Sequence, residues 1–334
     1  MARIFIDGFE LEGAVMNGRK DLTFPTGIAG MHGKCMGVTS IWGCAAYRLL
    51  TTYTEIYLAF LFRQTQNNTY TAPIFQIWTN SGPSPVYIGG LFRPVSSPNQ
   101  LYVTREYTSI ASSINGFSLN STKLIEIYFK LDNSAGRWVV KFDGNTEIDF
   151  TGDTNPSSTY NSFDQVRLGN GRQNAFDQAG YCYWDDLILD SENWVHGGAR
   201  PSQIGLILPE GAGNFSQFSG DHTKLDNVPE DLAEFIKSNT ADHRSSFIMS
   251  GISGMESVNC IQASVRASAL GDPTPKKIRP FLRIGGANYE GEDTYGWWGR
   301  PKSGKKLWET NPATGSPFTP AEIDELEVGL RAVI

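Results

Sequence analysis

Short segments in which apolar and polar residues alternate follow one another from Ile4 to Leu189. Tyr53–Phe62, Ile74–Trp78, Val86–Leu91, Leu101–Tyr107, Leu124–Leu131 and Trp138–Phe142 are rich in β-branched and aromatic residues and are predicted as strands. In Leu124–Leu131 the alternation sets Ile125, Ile127, Phe129 and Leu131 on one face and Glu126, Tyr128 and Lys130 on the other, the pattern of a strand with one side on a core. Asp143-Gly144, flanked by strand residues, has the chemistry of a tight hairpin turn with positive φ. Gly- and Asn-rich spacers at 152–161 and 169–173 supply further turns. Helical periodicity is absent from this half. Many short antiparallel strands without crossover helices predict a two-sheet sandwich of the jelly-roll kind.

The alternation stops at Ser191–Ser202, which carries Gly197, Gly198 and Pro201. This places a first domain over 1–192, a linker over 193–202 and a second domain over 203–334. The second domain is also β-rich, with strands expected at Ile204–Leu208, Phe247–Ser250, Cys260–Ala269, Ile278–Ile284 and Glu325–Val333. A short helix is expected over Pro229–Lys237, and Thr319 with Pro320 and Glu322 forms a helix start. The predicted class is therefore all-β, with two β-sandwich (jelly-roll) domains.

Composition changes this picture little. The 334 residues are 40% hydrophobic and 19% charged, enough to bury a large core. A net charge of −7 without a basic run excludes a nucleic-acid footprint. Met1-Ala2-Arg3 runs directly into the strand pattern Ile4-Phe5-Ile6-Asp7, without the apolar core of a secretory signal, and no stretch reaches transmembrane length. Synthesis and folding in a cytoplasm, without membrane insertion, are expected. Cys35, Cys44, Cys182 and Cys260 form no CxxC pair and read as reduced thiols. The sequons at Asn67, Asn120 and Asn214 carry little meaning without an export route.

Candidate chemistry is sparse. A glycoside hydrolase needs paired carboxylates, and the nearest candidate, Glu147-Ile148-Asp149-Phe150-Thr151-Gly152, has Thr or Gly where a second strand acid should stand. Glu147 and Asp149 read instead as the solvated face of a hairpin strand. Gly33-Lys34-Cys35-Met36-Gly37 mimics a nucleophile elbow spelled with cysteine, but that device needs a parallel sheet, so Cys35 reads as a buried thiol. No Cys/His group has zinc spacing. Trp78, Trp138 and Trp184 lie inside strand patterns and read as core. In Tyr295-Gly296-Trp297-Trp298-Gly299-Arg300 two adjacent tryptophans cannot both point inward on an extended chain, so Tyr295, Trp297 and Trp298 are candidates for a ligand or partner contact.

Ile6-Asp7-Gly8-Phe9-Glu10, the Trp138–Gly144 hairpin and Tyr183-Trp184-Asp185-Asp186-Leu187-Ile188-Leu189 resemble the first, a middle and the last strand of a concanavalin A-like, laminin-G-like jelly roll. The later part, from Ile207-Leu208-Pro209 to Pro317-Phe318-Thr319-Pro320-Ala321-Glu322-Ile323, resembles a second sandwich found after such domains in tailed-bacteriophage structural proteins. The resemblance implies a virion component in a tail fibre, tail tip, baseplate or head decoration. It would be a non-enzymatic homo-oligomer, a trimer by analogy, contacting other virion proteins and host-surface glycans. A stand-alone lectin or adhesin is the alternative, and a polysaccharide-degrading enzyme ranks last. No cofactor is required. In such jelly rolls the first and last strands are neighbours, so Asp7 and Glu10 should converge with Asp185 or Asp186 on a structural Ca²⁺.

Overall fold

A computed structural model describes residues 3–7, 18–20, 22–29, 31, 35–38, 44–66, 71–80, 85–94, 99–169, 181–194, 204–227, 233–252, 257–269, 277–295, 297–298 and 302–334. Among these the chain is all-β apart from a 3-10 turn at His222–Lys224 and a helix at Pro320–Asp324. It divides into two compact units, Met1–Ile204 and Gly205–Ile334.

The first unit is a sandwich of two antiparallel sheets. One runs in the order Asn145–Gly152, Gly136–Phe142, Thr122–Lys130, Glu55–Gln64, Cys182–Asp190, Met36–Val38, Leu22–Thr23, with Arg3–Asp7 paired to Cys182–Asp190. The other runs Thr108–Ser112, Tyr102–Arg105, Val86–Arg93, Ala72–Thr79, Phe163–Gly169, Cys44–Tyr53, Gly18–Lys20. Ile125, Ile127 and Phe129 point into the shared core, where they meet Phe60, Phe62, Phe75, Trp138 and Trp184. Trp78, Trp138 and Trp184 are buried as expected. Burying such side chains contributes about 1.5–3 kcal/mol each. All four cysteines are free thiols, and buried Cys35 donates to the Pro25 carbonyl at 3.6 Å.

Two sequence expectations change here. The strand expected over Tyr53–Phe62 starts at Glu55, because Tyr53 ends Cys44–Tyr53 of the other sheet and only Thr54 separates the two. Leu49 and Ile56, on either side of this corner, face the same core. Asp143 and Gly144 do form the hairpin turn, at φ 49° and 83°. Beyond it, however, Val140 faces Ile148 while Lys141 faces Thr146. Glu147 is thus a bulged residue, and the bulge turns it away from solvent. It is buried and accepts the Asn115 N–H at 2.8 Å and the Asn115 amide at 2.9 Å.

The second unit pairs a six-stranded with a three-stranded sheet. The larger contains Pro209–Ser216, Arg244–Met249, Glu327–Val333, Lys277–Ile284 and Ala287–Glu290 in that order, with Thr294–Tyr295 against Lys277–Ile284. The smaller contains Trp297–Trp298, Ile261–Ala269 and Lys302–Trp308. Leu282, Ile261, Trp308, Phe318, Ile323 and Leu326 form the core between them. The expected strand Ile204–Leu208 is not one; pairing starts at Pro209, and the Leu208 N–H goes to the Ser250 hydroxyl. Of the expected helix Pro229–Lys237, residues 229–232 lie outside the described residues, and 233–237 is not helical. Lys237 instead bridges to Ser219, whose backbone groups exchange two hydrogen bonds with it. The Thr319 helix start is present as a capping box, with Thr319 Oγ1 accepting the Glu322 N–H and Glu322 accepting the Thr319 N–H.

Arg244, Arg331 and Arg279 stand directly opposite one another on three neighbouring strands. Three like charges in a cross-strand row destabilise a sheet unless something neutralises them. Glu290 does so: it accepts from Arg331 at 2.7 and 2.9 Å, from Arg279 at 2.6 Å and from Arg244 at 3.3 Å.

Candidate functional site

The outward face of the first sheet carries a row of side chains that alternation and register fix together. Directly opposite residues of antiparallel strands share a face. Tyr57 lies opposite Tyr128, Tyr128 opposite Val139, and Val139 opposite Asp149. One step along, Glu126 lies opposite Lys141 and Lys141 opposite Thr146; on the other side Lys130 lies opposite Arg137. The Tyr57 and Tyr128 rings stack at 4.5 Å between centroids.

A third aromatic ring is added by the turn that ends the last strand. Asp190, buried and ion-paired to Arg3 at 3.6 Å, accepts the N–H groups of Glu192 and Asn193 at 2.9 and 3.1 Å. This Asx-type turn brings the chain back over the sheet. Trp194 then sits edge-on to Tyr57, 5.5 Å away at 74°, and 6.4 Å from Tyr128. Lys141 Nζ lies 3.6 Å above the Trp194 ring centroid, a cation–π contact.

The rings border a half-open pocket of about 290 Å³ floored by Val139 and flanked by Tyr57, Tyr128 and Trp194, with Arg137, Lys141, Thr146 and Asp149 at its polar side. This is at the small end of ligand pockets, which run about 300–1,000 Å³. Arg137 grips Asp149 with two hydrogen bonds of 3.1 and 3.0 Å, both side chains being about half exposed. Tyr128 donates to Glu55 at 2.7 Å. Burial, then this hydrogen bond and the Glu55 charge, push the Tyr128 hydroxyl well above the usual phenol range. Burial and Glu55 raise Tyr57 as well. Both tyrosines are therefore neutral near pH 7 and act as flat faces with hydroxyl groups rather than as bases. The arrangement can stack on a ring and hydrogen-bond its substituents.

The residues singled out from the sequence lie elsewhere. Asp7 and Asp185–Asp186 are brought together as expected, since Asp7 pairs with Leu187. A bulge lies between Asp185 and Ile188, Asp186 has φ 49°, and both acids are buried. Each acid has protein partners: Asp7 accepts from Tyr47 at 3.1 Å, Asp185 from the Asp186 N–H, and Asp186 from the Ile204 N–H. Glu10 lies outside the described residues. Among the described residues no three His, Cys, Asp or Glu side chains form a group that holds a metal ion. Tyr295 pairs with Lys277, and Trp297–Trp298 pairs in parallel with Ser268–Ala269. The segment is extended, but the side chains of Tyr295, Trp297 and Trp298 lie outside the described residues.

The sequence held one signal for the observed site, the placement of Tyr128 on the outward face of its strand. Tyr57 was hidden in the run that spans the sheet corner, and Trp194 in the stretch read as the linker.

Neither protein-family models nor curated proteins match the chain. Solved structures do. A mutant of Trypanosoma rangeli sialidase displaying trans-sialidase activity aligns at 12% identity and TM-score 0.40 over 52% of this chain and 27% of that one. Trypanosoma rangeli sialidase in complex with the inhibitor DANA aligns at 11% and 0.38, over 57% and 30%. An alginate lyase aligns at 14% and 0.34, over 50% and 84%. This chain thus spans about a quarter of the length of the sialidase. These neighbours are enzymes, a sialidase and an alginate lyase, so the expectation of a non-enzymatic protein does not stand. They lend no support to a phage particle. Among the described residues no helix is long and apolar enough to cross a membrane.

Proposed function

We propose that the outward face of the first sandwich binds carbohydrate in the pocket beneath Trp194. The observation that carries this reading is the stacked Tyr57–Tyr128 pair with Trp194 set against it over a pocket whose other side is polar. Aromatic faces cover the apolar face of a pyranose, while hydroxyl, guanidinium, ammonium and carboxylate groups satisfy its substituents. The site rests on a sheet whose strands are locked by the core, so it is preorganised and loses little entropy on binding. The setting of a tailed-phage particle, in which the ligand is a host-surface glycan and the protein a homo-oligomer among other virion proteins, is supported by the sequence resemblance alone.

The test is a glycan array followed by titration calorimetry on wild type and Trp194→Ala. Removing the indole takes away one wall without touching the core, so binding falls at least about tenfold while the melting temperature barely moves. A bound glycan whose affinity is the same in Trp194→Ala refutes the site.

A further inference from the structure

We infer that the ligand of this pocket carries a carboxylate, making it an acidic sugar; the inference rests on the carbohydrate reading above. Lys141 decides it. Its ammonium is held over the Trp194 ring at the pocket wall, and among the described residues it forms no ion pair. Arg137, the second cation at the wall, spends one face on Asp149. The groups that line the pocket, Lys141, Arg137 and Asp149, sum to one positive charge, while the neighbouring acids Glu55, which accepts from Tyr128, and Glu126, opposite Lys141, stand outside the lining. Glu126 stands directly opposite Lys141 but has partners of its own, and the Lys141 ammonium sits over the Trp194 ring at the pocket instead. A sugar ring stacked on the tyrosines presents its substituents to this wall, where a carboxylate completes a charge-assisted hydrogen bond, roughly twice as strong as a neutral one.

The experiment titrates a short oligouronate, and the same oligosaccharide with its carboxyl groups reduced to alcohols, into wild type, Lys141→Gln, Lys141→Arg and Trp194→Ala. Wild type binds the acidic form about tenfold or more tightly than the neutral one, and the preference shrinks at high salt. Lys141→Gln abolishes the preference by weakening the acidic form alone, and Lys141→Arg restores it. Equal binding of the two forms by wild type, or a preference that survives Lys141→Gln, overturns the acidic-sugar inference, while Trp194-dependent binding of the neutral form leaves the carbohydrate site standing. Binding of neither form overturns both.

Discussion

Glu290→Gln isolates what holds three arginines side by side in the second unit. The glutamate is about one-quarter exposed and receives four hydrogen bonds from Arg331, Arg279 and Arg244 at 2.6–3.3 Å. Asp242 and Asp293 flank the row, bound to Arg331 and Arg279 respectively. Glutamine keeps one acceptor oxygen but turns an NH₂ group toward the guanidiniums and leaves their mutual repulsion unopposed at the centre. A hydrogen bond to a charged group contributes about 1.5–3 kcal/mol, and partial exposure with the two remaining acids reduces the total, so the expected loss is about 2–3 kcal/mol. With a urea slope of about 1–3 kcal/mol/M, the midpoint of the second unit falls by roughly 1 M. The pH dependence sharpens the test. Burial alone would raise the Glu290 carboxyl, but the hydrogen bonds from Arg279 and Arg331 and the Arg331 charge outweigh it and hold the group below the usual carboxylate range. A group depressed in the folded state stabilises fully above its unfolded pKa of about 4.3, and that stabilisation is lost as pH falls through the folded value. The gap between wild type and variant is therefore widest near neutrality and closes below roughly pH 4. A loss under about 0.5 kcal/mol, the ordinary effect of a surface substitution, or a gap independent of pH, refutes the reasoning.

Gly329→Ala drives a Cβ into Cζ of Phe281, whose ring is fully buried and cannot swing away; overpacking of this kind costs about 1–3 kcal/mol, read as a lower melting temperature of the second unit, and the cost shrinks in a Phe281→Leu background. Glu147→Gln sets an NH₂ against one of the two Asn115 donors in a buried bulge and costs about 1–3 kcal/mol in the first unit by urea unfolding; an unchanged midpoint would mean that the bulge does not anchor the 113–116 loop. Thr319→Ala removes the capping-box acceptor for the Glu322 N–H and lowers second-unit stability by about 1 kcal/mol in the same assay, whereas Thr319→Ser keeps it.

Alternation with period two was enough to determine the class, two units of mainly antiparallel sheet, because each strand must bury one face and the pattern states which. It also set Ile125, Ile127 and Phe129 against the core, and turn chemistry alone placed the Asp143-Gly144 hairpin and the Thr319 cap, since both depend on residues adjacent in sequence. What escaped depended on a partner strand. A bulge is a mismatch between two chains, so the burial of Glu147 and of both Asp185 and Asp186 cannot be read from either strand by itself. A corner between sheets leaves no mark where the strands on both sides of it serve one core, which is why Tyr53 was read into the strand that starts at Glu55. The candidate site shows the same division. Outward placement of Tyr128 follows from its own strand, but its stacking on Tyr57 follows from register with a strand some seventy residues earlier. The seat of Lys141 over Trp194 follows from a turn folded back by Asp190 at the far end of the unit. Local pattern fixes which side of a strand a residue occupies; only the tertiary structure decides what stands beside it.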